Sequence, residues 1–167
     1  MHVLLAAHDG FSKLAFRIAC LALVVLLGAY LVEVVARYGF NAPTRWTSDL
    51  VQYMLCVSMS LAMPLVTRDG GHVAITSFLE KMSTQHQAVA ARWIQGLGAL
   101  ALASAAAVFA MVGWDQARQG IETVAAFAIP KWWLSGLVVV GMSSAAMHLL
   151  RQALGFDAAK AGHEMDV

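Results

Sequence analysis

Long apolar runs divide this chain into four hydrophobic stretches with short polar segments between them. None of the four contains Asp, Glu, Lys or Arg; they cover residues 18–32, 50–67, 93–114 and 132–150. An α-helix of about 20 apolar residues can cross the ~30 Å core of a bilayer, because it satisfies its own backbone hydrogen bonds. The pattern therefore predicts an all-α integral membrane protein, built as a four-helix bundle.

The predicted spans lie at about 14–36, 47–66, 93–114 and 132–151, in a single membrane domain of residues 1–167. Lys13 and Arg17 precede the first run, which is also the order found in a signal peptide. Because three further spans follow and no exported domain does, we expect the first helix to be retained.

A shorter amphipathic segment lies between the second and third spans. Its apolar residues Ile75, Phe78, Leu79 and Met82 follow helical spacing. Such a segment favours the membrane surface, so we predict a short interfacial helix at about 75–82. The helix that follows is predicted at about 85–114, which is longer than the apolar core of a bilayer requires.

Composition narrows the possible functions. Charged residues make up 13% of the chain, against about 25% in a typical soluble domain, and the net charge of +1 gives no support to nucleic-acid binding. Cys20 and Cys56 both lie inside apolar runs, where they are expected to be free core residues. The sequence contains no catalytic motif, no cluster of metal ligands and no pattern for a bound cofactor.

The distribution of basic residues predicts an orientation. With four spans, both termini and the middle loop share one side, which carries seven Lys and Arg against four on the other. The positive-inside rule then predicts cytoplasmic termini. The seven are Lys13, Arg17, Arg68, Lys81, Arg92, Arg151 and Lys160, and the four are Arg37, Arg45, Arg118 and Lys131.

Two ionisable residues within the predicted spans suggest chemistry. Glu33, the only acid well inside a span, could bind protons in a small proton-coupled exporter, but Arg37 at i+4 favours a structural ion pair. His148 is the only histidine inside a span, whereas a b-type haem needs two on facing helices. We therefore expect His148 to make a polar interhelical contact, and a haem- or quinone-linked membrane anchor is a lesser alternative.

Arg45 and Asp49 form a second i+4 pair around Trp46, at the start of the second span. One interpretation is a helix start with a solvent-exposed ion pair, in which Thr47 or Ser48 caps the helix. The other is an anchor for the loop or for a partner protein, and the spacing favours neither.

Four segments between the spans give a family resemblance. They read RYGFNAP at 37–43, WTSDL at 46–50, RDGGHVAI at 68–75 and TVAAFAIPKW at 123–132. In this order and spacing they resemble the small membrane subunit of tripartite ATP-independent periplasmic (TRAP) transporters. The acid that opens the second span is Asp49, where family members usually carry Glu.

The resemblance implies a role in a bacterial inner-membrane importer of organic acids driven by a sodium gradient. In such systems a periplasmic binding protein captures the substrate and a large multispan subunit moves it as an elevator. The small subunit is a fixed, lipid-embedded scaffold that packs beside the large one and helps to dock the binding protein. Candidate interface or docking residues are Glu33, Arg37, Arg45, Trp46, Asp49, Arg68, His72, Arg118 and Glu122.

Overall fold

The computed structural model describes residues 2–69 and 84–155. Within them the chain forms four helices, which are α1 (His2–Gly39), α2 (Thr47–Arg68), α3 (Thr84–Gln119) and α4 (Lys131–Ala153). All four are long and apolar enough to cross a membrane. The predicted all-α four-helix membrane bundle is thus confirmed, and the proposed interfacial helix at 75–82 lies outside the described residues.

The helices do not pack in sequence order. α1 packs against α2, α2 against α4, and α4 against α3, so α4 lies between α2 and α3. Accordingly α4 has the most buried span and α3 the least. The order in space is therefore α1, α2, α4, α3.

α1 begins twelve residues before the predicted start of the first span, since it runs from His2 rather than from residue 14. The first span was predicted from residue 14 because the segment before it mixes polar with apolar residues. The structure buries two of them, Asp9 and Ser12, against α4. Polar side chains that have partners on a neighbouring helix allow the helix to continue without an apolar sequence.

The turn between α1 and α2 has a defined geometry. Asn41 adopts a left-handed conformation with φ of 52°, and the amide of Ala42 donates to the carbonyl of Ala36 at 3.0 Å. The same carbonyl also accepts from the amide of Phe40 at 3.3 Å, so the chain turns back over the last turn of α1. The expected cap at Thr47 or Ser48 is wrong, because Trp46 is the N-cap residue and makes no side-chain capping bond.

The backbones of α2 and α4 come very close to each other at Gly141. A Cβ atom placed on Gly141 would lie 2.1 Å from the carbonyl oxygen of Ser60. Only glycine permits the two backbones to approach this closely, as small residues do at many helix contacts in lipid. Gly141 therefore sets the distance between the two halves of the bundle.

α3 is joined to α4 by a polar contact as well as by small residues. The hydroxyl of Ser135 donates to Oε1 of Gln116 at 2.8 Å, which is beyond the predicted end of the third span at residue 114. A Cβ on Gly113 would lie 3.2 Å from the Cβ of Ser135. These contacts explain why α3 continues to Gln119.

Candidate functional site

Glu33 organises the end of the bundle at which α1 meets α2. Its Oε1 accepts hydrogen bonds from Arg37 Nε at 3.1 Å and Nη2 at 2.6 Å. Its Oε2 accepts from the backbone amide of Thr44 at 2.9 Å and from the Thr44 hydroxyl, which also contacts the Thr47 hydroxyl. The predicted ion pair is present, and the carboxylate also fixes the loop between the two helices.

The loop between α3 and α4 is closed on itself by backbone pairing. The Thr123 amide donates to Ile129 O at 2.9 Å and the Lys131 amide to Ile121 O at 3.0 Å. The Thr123 hydroxyl accepts from the Ile129 amide at 3.0 Å. These bonds give the outer loop, residues 120–130, a narrow hairpin-like shape.

α2 holds this outer loop through two side chains. Oδ2 of Asp49 accepts from the amide of Ala126 at 2.7 Å, and the Tyr53 hydroxyl donates to Thr123 Oγ1 at 2.7 Å. Asp49 forms no ion pair with Arg45, which is exposed. The i+4 pair is therefore wrong, and Asp49 is a loop anchor because a distant backbone amide outcompetes the solvated arginine.

The other candidates divide between the two ends of the bundle. Trp46 is half-buried at the start of α2, while Glu122 is exposed in the outer loop. Arg118 is also exposed and stacks its guanidinium over the Trp114 ring at 5.1 Å. At the opposite end, Arg68 closes α2, and its carbonyl accepts from the Gln152 side chain at 2.9 Å. His72 lies outside the described residues.

A cavity of about 470 Å³ opens between α1 and α2 beside the Glu33 network. Its wall combines charged, hydroxyl and apolar groups. The lining residues are Tyr30, Glu33, Val34, Arg37, Tyr38, Thr47, Ser48, Val51 and Gln52. Both Glu33 oxygens already accept hydrogen bonds inside the protein. A molecule in the cavity would therefore contact a carboxylate whose two oxygens are already hydrogen-bonded.

Replacing Glu33 with alanine is expected to loosen the α1–α2 loop. The change removes the acceptor of the Thr44 amide and hydroxyl, and a partly buried donor that loses its acceptor destabilises a folded protein. We expect the melting temperature in detergent to fall by several degrees. Asp115→Ala, which removes an exposed acid from α3, is the matched control and should leave the melting temperature almost unchanged. Equal effects of the two substitutions would contradict the role of Glu33.

A second polar cluster, which the sequence did not reveal, lies at the end of the bundle that carries the chain termini. Arg151 Nη1 forms an ion pair with Asp9 Oδ1 at 2.9 Å, and both side chains are buried. The rings of His8 and His148 stack with their centroids 4.2 Å apart. Asp9 is therefore a second acid within α1, in the turns that precede the predicted span of residues 14–36.

Ser12 and Ser144 complete this cluster. The Ser12 hydroxyl lies 2.8 Å from His148 Nε2, and the Ser144 hydroxyl lies 2.9 Å from His8 Nε2. The predicted interhelical contact of His148 is thus present, although its partners come from the N-terminal turns of α1. The two serines could not be recognised from the sequence, because the histidine that each contacts lies 136 positions away along the chain.

The cluster does not have the arrangement of a haem or metal site. The two imidazoles stack directly on each other, which leaves no space for a porphyrin between them. Ligand atoms of His8, Asp9 and His148 lie within 4.8 Å of one another, close enough to suggest a metal ion. However, the Arg151 guanidinium already supplies the cation that neutralises Asp9, and it would repel a second one.

Comparison with known proteins identifies the family. The family described as tripartite ATP-independent periplasmic transporters, DctQ component, matches residues 26–157, which is most of the chain. A search of curated proteins found no match. The match covers the Glu33 network, the outer loop and all of α2, α3 and α4. The chain belongs to the DctQ family, the small membrane component of TRAP transporters.

Proposed function

We propose that this chain is the fixed scaffold of a sodium-driven TRAP importer of organic acids. It packs against the large transport subunit and helps to dock the periplasmic binding protein. The proposal rests on the ion pairs that the two carboxylates of α1 form inside the protein. Glu33 is paired with Arg37 and Asp9 with Arg151, so both acids stabilise the structure.

The Glu33 geometry also weighs against a self-sufficient exporter. Such a protein needs a carboxylate that exchanges protons or cationic substrates. Glu33 instead accepts hydrogen bonds from Arg37 and Thr44 on both oxygens and closes a loop near the end of its helix. Releasing a proton or ligand at this position would require opening that loop in every cycle.

We further propose that the Glu33 end of the bundle faces the periplasm and both termini face the cytoplasm. This follows the distribution of basic residues. Arg118 and Glu122 are exposed at this end, and the outer loop, which contains Glu122, is held by Asp49 and Tyr53. A loop fixed in one shape is suited to docking, because binding then costs little conformational entropy.

Reconstitution tests the scaffold role. The cognate large subunit is placed in liposomes with and without this chain, and uptake is driven by a sodium gradient in the presence of the binding protein. The expected result is a stable complex of the two membrane subunits and loss of most uptake when this chain is omitted. Full uptake by the large subunit alone would overturn the proposal, as would proton-coupled export by this chain alone that Glu33→Gln abolishes.

Asp49→Ala tests the docking role of the outer loop. Removing the acceptor of the Ala126 amide frees the loop from α2, so we expect the binding protein to bind the membrane complex several-fold more weakly. Assembly with the large subunit should not change. Surface plasmon resonance on the complex in nanodiscs measures the affinity, with Asp115→Ala as the control. Unchanged docking by Asp49→Ala would remove the outer loop from the proposed interface.

A further inference from the structure

We propose that the stacked His8 and His148 form a proton-binding site that holds the first turns of α1 on α4 while both rings are neutral. Proton binding releases this contact and lets the start of α1 separate from the bundle. The inference is independent of the transport role proposed above. Its α1 half also lies outside the family match, which begins at residue 26.

Hydrogen-bond directions require His8 to be neutral. Arg151 Nη1 lies 3.3 Å from His8 Nδ1, and since a guanidinium can only donate, Nδ1 must be the acceptor. The ring proton is therefore on Nε2, which donates to the Ser144 hydroxyl at 2.9 Å. A proton added to His8 would occupy Nδ1 and place two donors against each other.

The same reasoning shows which ring nitrogen of His148 carries the proton. The Ser12 hydroxyl donates its proton to the carbonyl of His8 at 3.0 Å, so towards His148 it can only accept. His148 Nε2 then carries the ring proton, and Nδ1 is a bare nitrogen. Among residues 2–69 and 84–155 this buried Nδ1 has no hydrogen-bond partner, and His148 is fully shielded from solvent. A proton added there would be a buried donor that no acceptor satisfies.

The charges around the pair come from every helix at this end. α1 contributes Asp9, α2 contributes Arg68 and α4 contributes Arg151, all of which interact electrostatically with His148. From α3, Arg92 reaches the turn at Gly155. Because Asp9 is already paired with Arg151, positive charge on the imidazoles adds to a surplus of cations.

Protons can reach the pair through His8, which is only partly buried, whereas His148 is enclosed. An imidazole in water binds a proton with a pKa of about 6.5, whereas the docked rings are held neutral, so the contact loses stability as the pH falls below that value and is fully present above it. Ser12, His8 and Asp9 make polar contacts of α1 with α4 at this end. Protons on both rings would set the Nδ1–H donor of His8 against the Arg151 guanidinium and leave that of His148 without an acceptor, and this cost separates the N-terminal turns of α1 from α4. The contact of α1 with α2 stays intact.

Distances between spin labels test the release directly. Phe11 and Leu150 are exposed on α1 and α4 at this end, and each is changed to cysteine in a Cys20→Ser/Cys56→Ser background and labelled in lipid nanodiscs. At pH 8 we expect one narrow distance. At pH 5 we expect a second, longer distance, whose population rises from below ~10% to the majority.

Two controls isolate the histidines. A label pair at Tyr38 and Trp133, exposed at the opposite end, should show the same distance at both pH values. The His8→Gln/His148→Gln variant should show the same Phe11–Leu150 distribution at pH 5 as at pH 8. The proposal is overturned if the Phe11–Leu150 distances of the parent do not change with pH, or if the control pair changes equally. It is also overturned if the pH response persists in the variant without the two histidines.

Nitrogen-15 NMR of the histidine rings gives a second test that needs no substitution in the cluster. At pH 8 both His8 and His148 should appear as neutral rings protonated on Nε2. At pH 5 the protonated form should appear together with the longer spin-label distance. A proton on Nδ1 of His8 at pH 8 would contradict the hydrogen-bond directions on which the site rests.

Discussion

Gly141→Ala is expected to prevent stable association of α2 with α4. The new Cβ would lie 2.1 Å from the carbonyl oxygen of Ser60 and 2.9 Å from its carbonyl carbon, so a side-chain rotation cannot relieve the contact. The two helices must move apart along their whole contact, and we expect a loss of at least ~3 kcal/mol in the free energy of unfolding. Reversible unfolding by SDS in mixed micelles, followed by circular dichroism, measures this loss.

Gly136→Ala is the matched control on the same helix. A Cβ at Gly136 meets no atom within 4 Å, and alanine is a better helix former than glycine. This variant should keep the parent stability or gain ~0.5–1 kcal/mol, since glycine inside a helix is destabilising by that amount. If Gly141→Ala were as stable as Gly136→Ala, the close approach of α2 and α4 would be wrong.

The second large effect is expected from Arg151→Met. The substitution removes the cation 2.9 Å from the buried carboxylate of Asp9. Breaking a buried ion pair by deleting one partner costs about 3–5 kcal/mol, because the remaining charge stays in a poorly solvated site. The same unfolding assay should therefore show a large loss for this variant.

A double variant separates the charge from the packing. Asp9→Leu/Arg151→Met replaces the pair with apolar groups, which is often close to neutral for a buried ion pair. We expect it to recover at least half of the stability that Arg151→Met loses. Arg118→Met, which changes an exposed arginine, should have little effect. A double variant as unstable as the single one would show that the ion pair is not the cause.

The sequence predicted those features that depend on local patterns. Four apolar runs were enough to find four spans, because a helix in lipid must be apolar over a fixed length. The Glu33–Arg37 pair was also found, since residues four apart on a helix face the same side. The short family segments identified the transporter class, and the family match confirmed it.

Features that depend on distant partners were missed or misread. His8, Asp9 and Ser12 lie before the first predicted span, and no role was predicted for them because their partners on α4 lie far along the chain. Asp49 was predicted either to pair with Arg45 or to anchor a loop or a partner, and the spacing could not decide, because its partner is the amide of Ala126 in a loop 77 residues away. No local pattern states which helices become neighbours, so the position of α4 between α2 and α3 could not be read from the sequence.

The order α1, α2, α4, α3 constrains how the chain assembles during synthesis. The α1–α2 hairpin can close through Glu33 and Thr44 as soon as both helices have left the ribosome, because its contacts are local in sequence. The helix α4 is made after α3 and then has to insert between α2 and α3. Until Gly141 packs against Ser60, the α1–α2 and α3–α4 hairpins of the nascent protein are separate. During this time the membrane insertion machinery must keep both hairpins from associating with other chains.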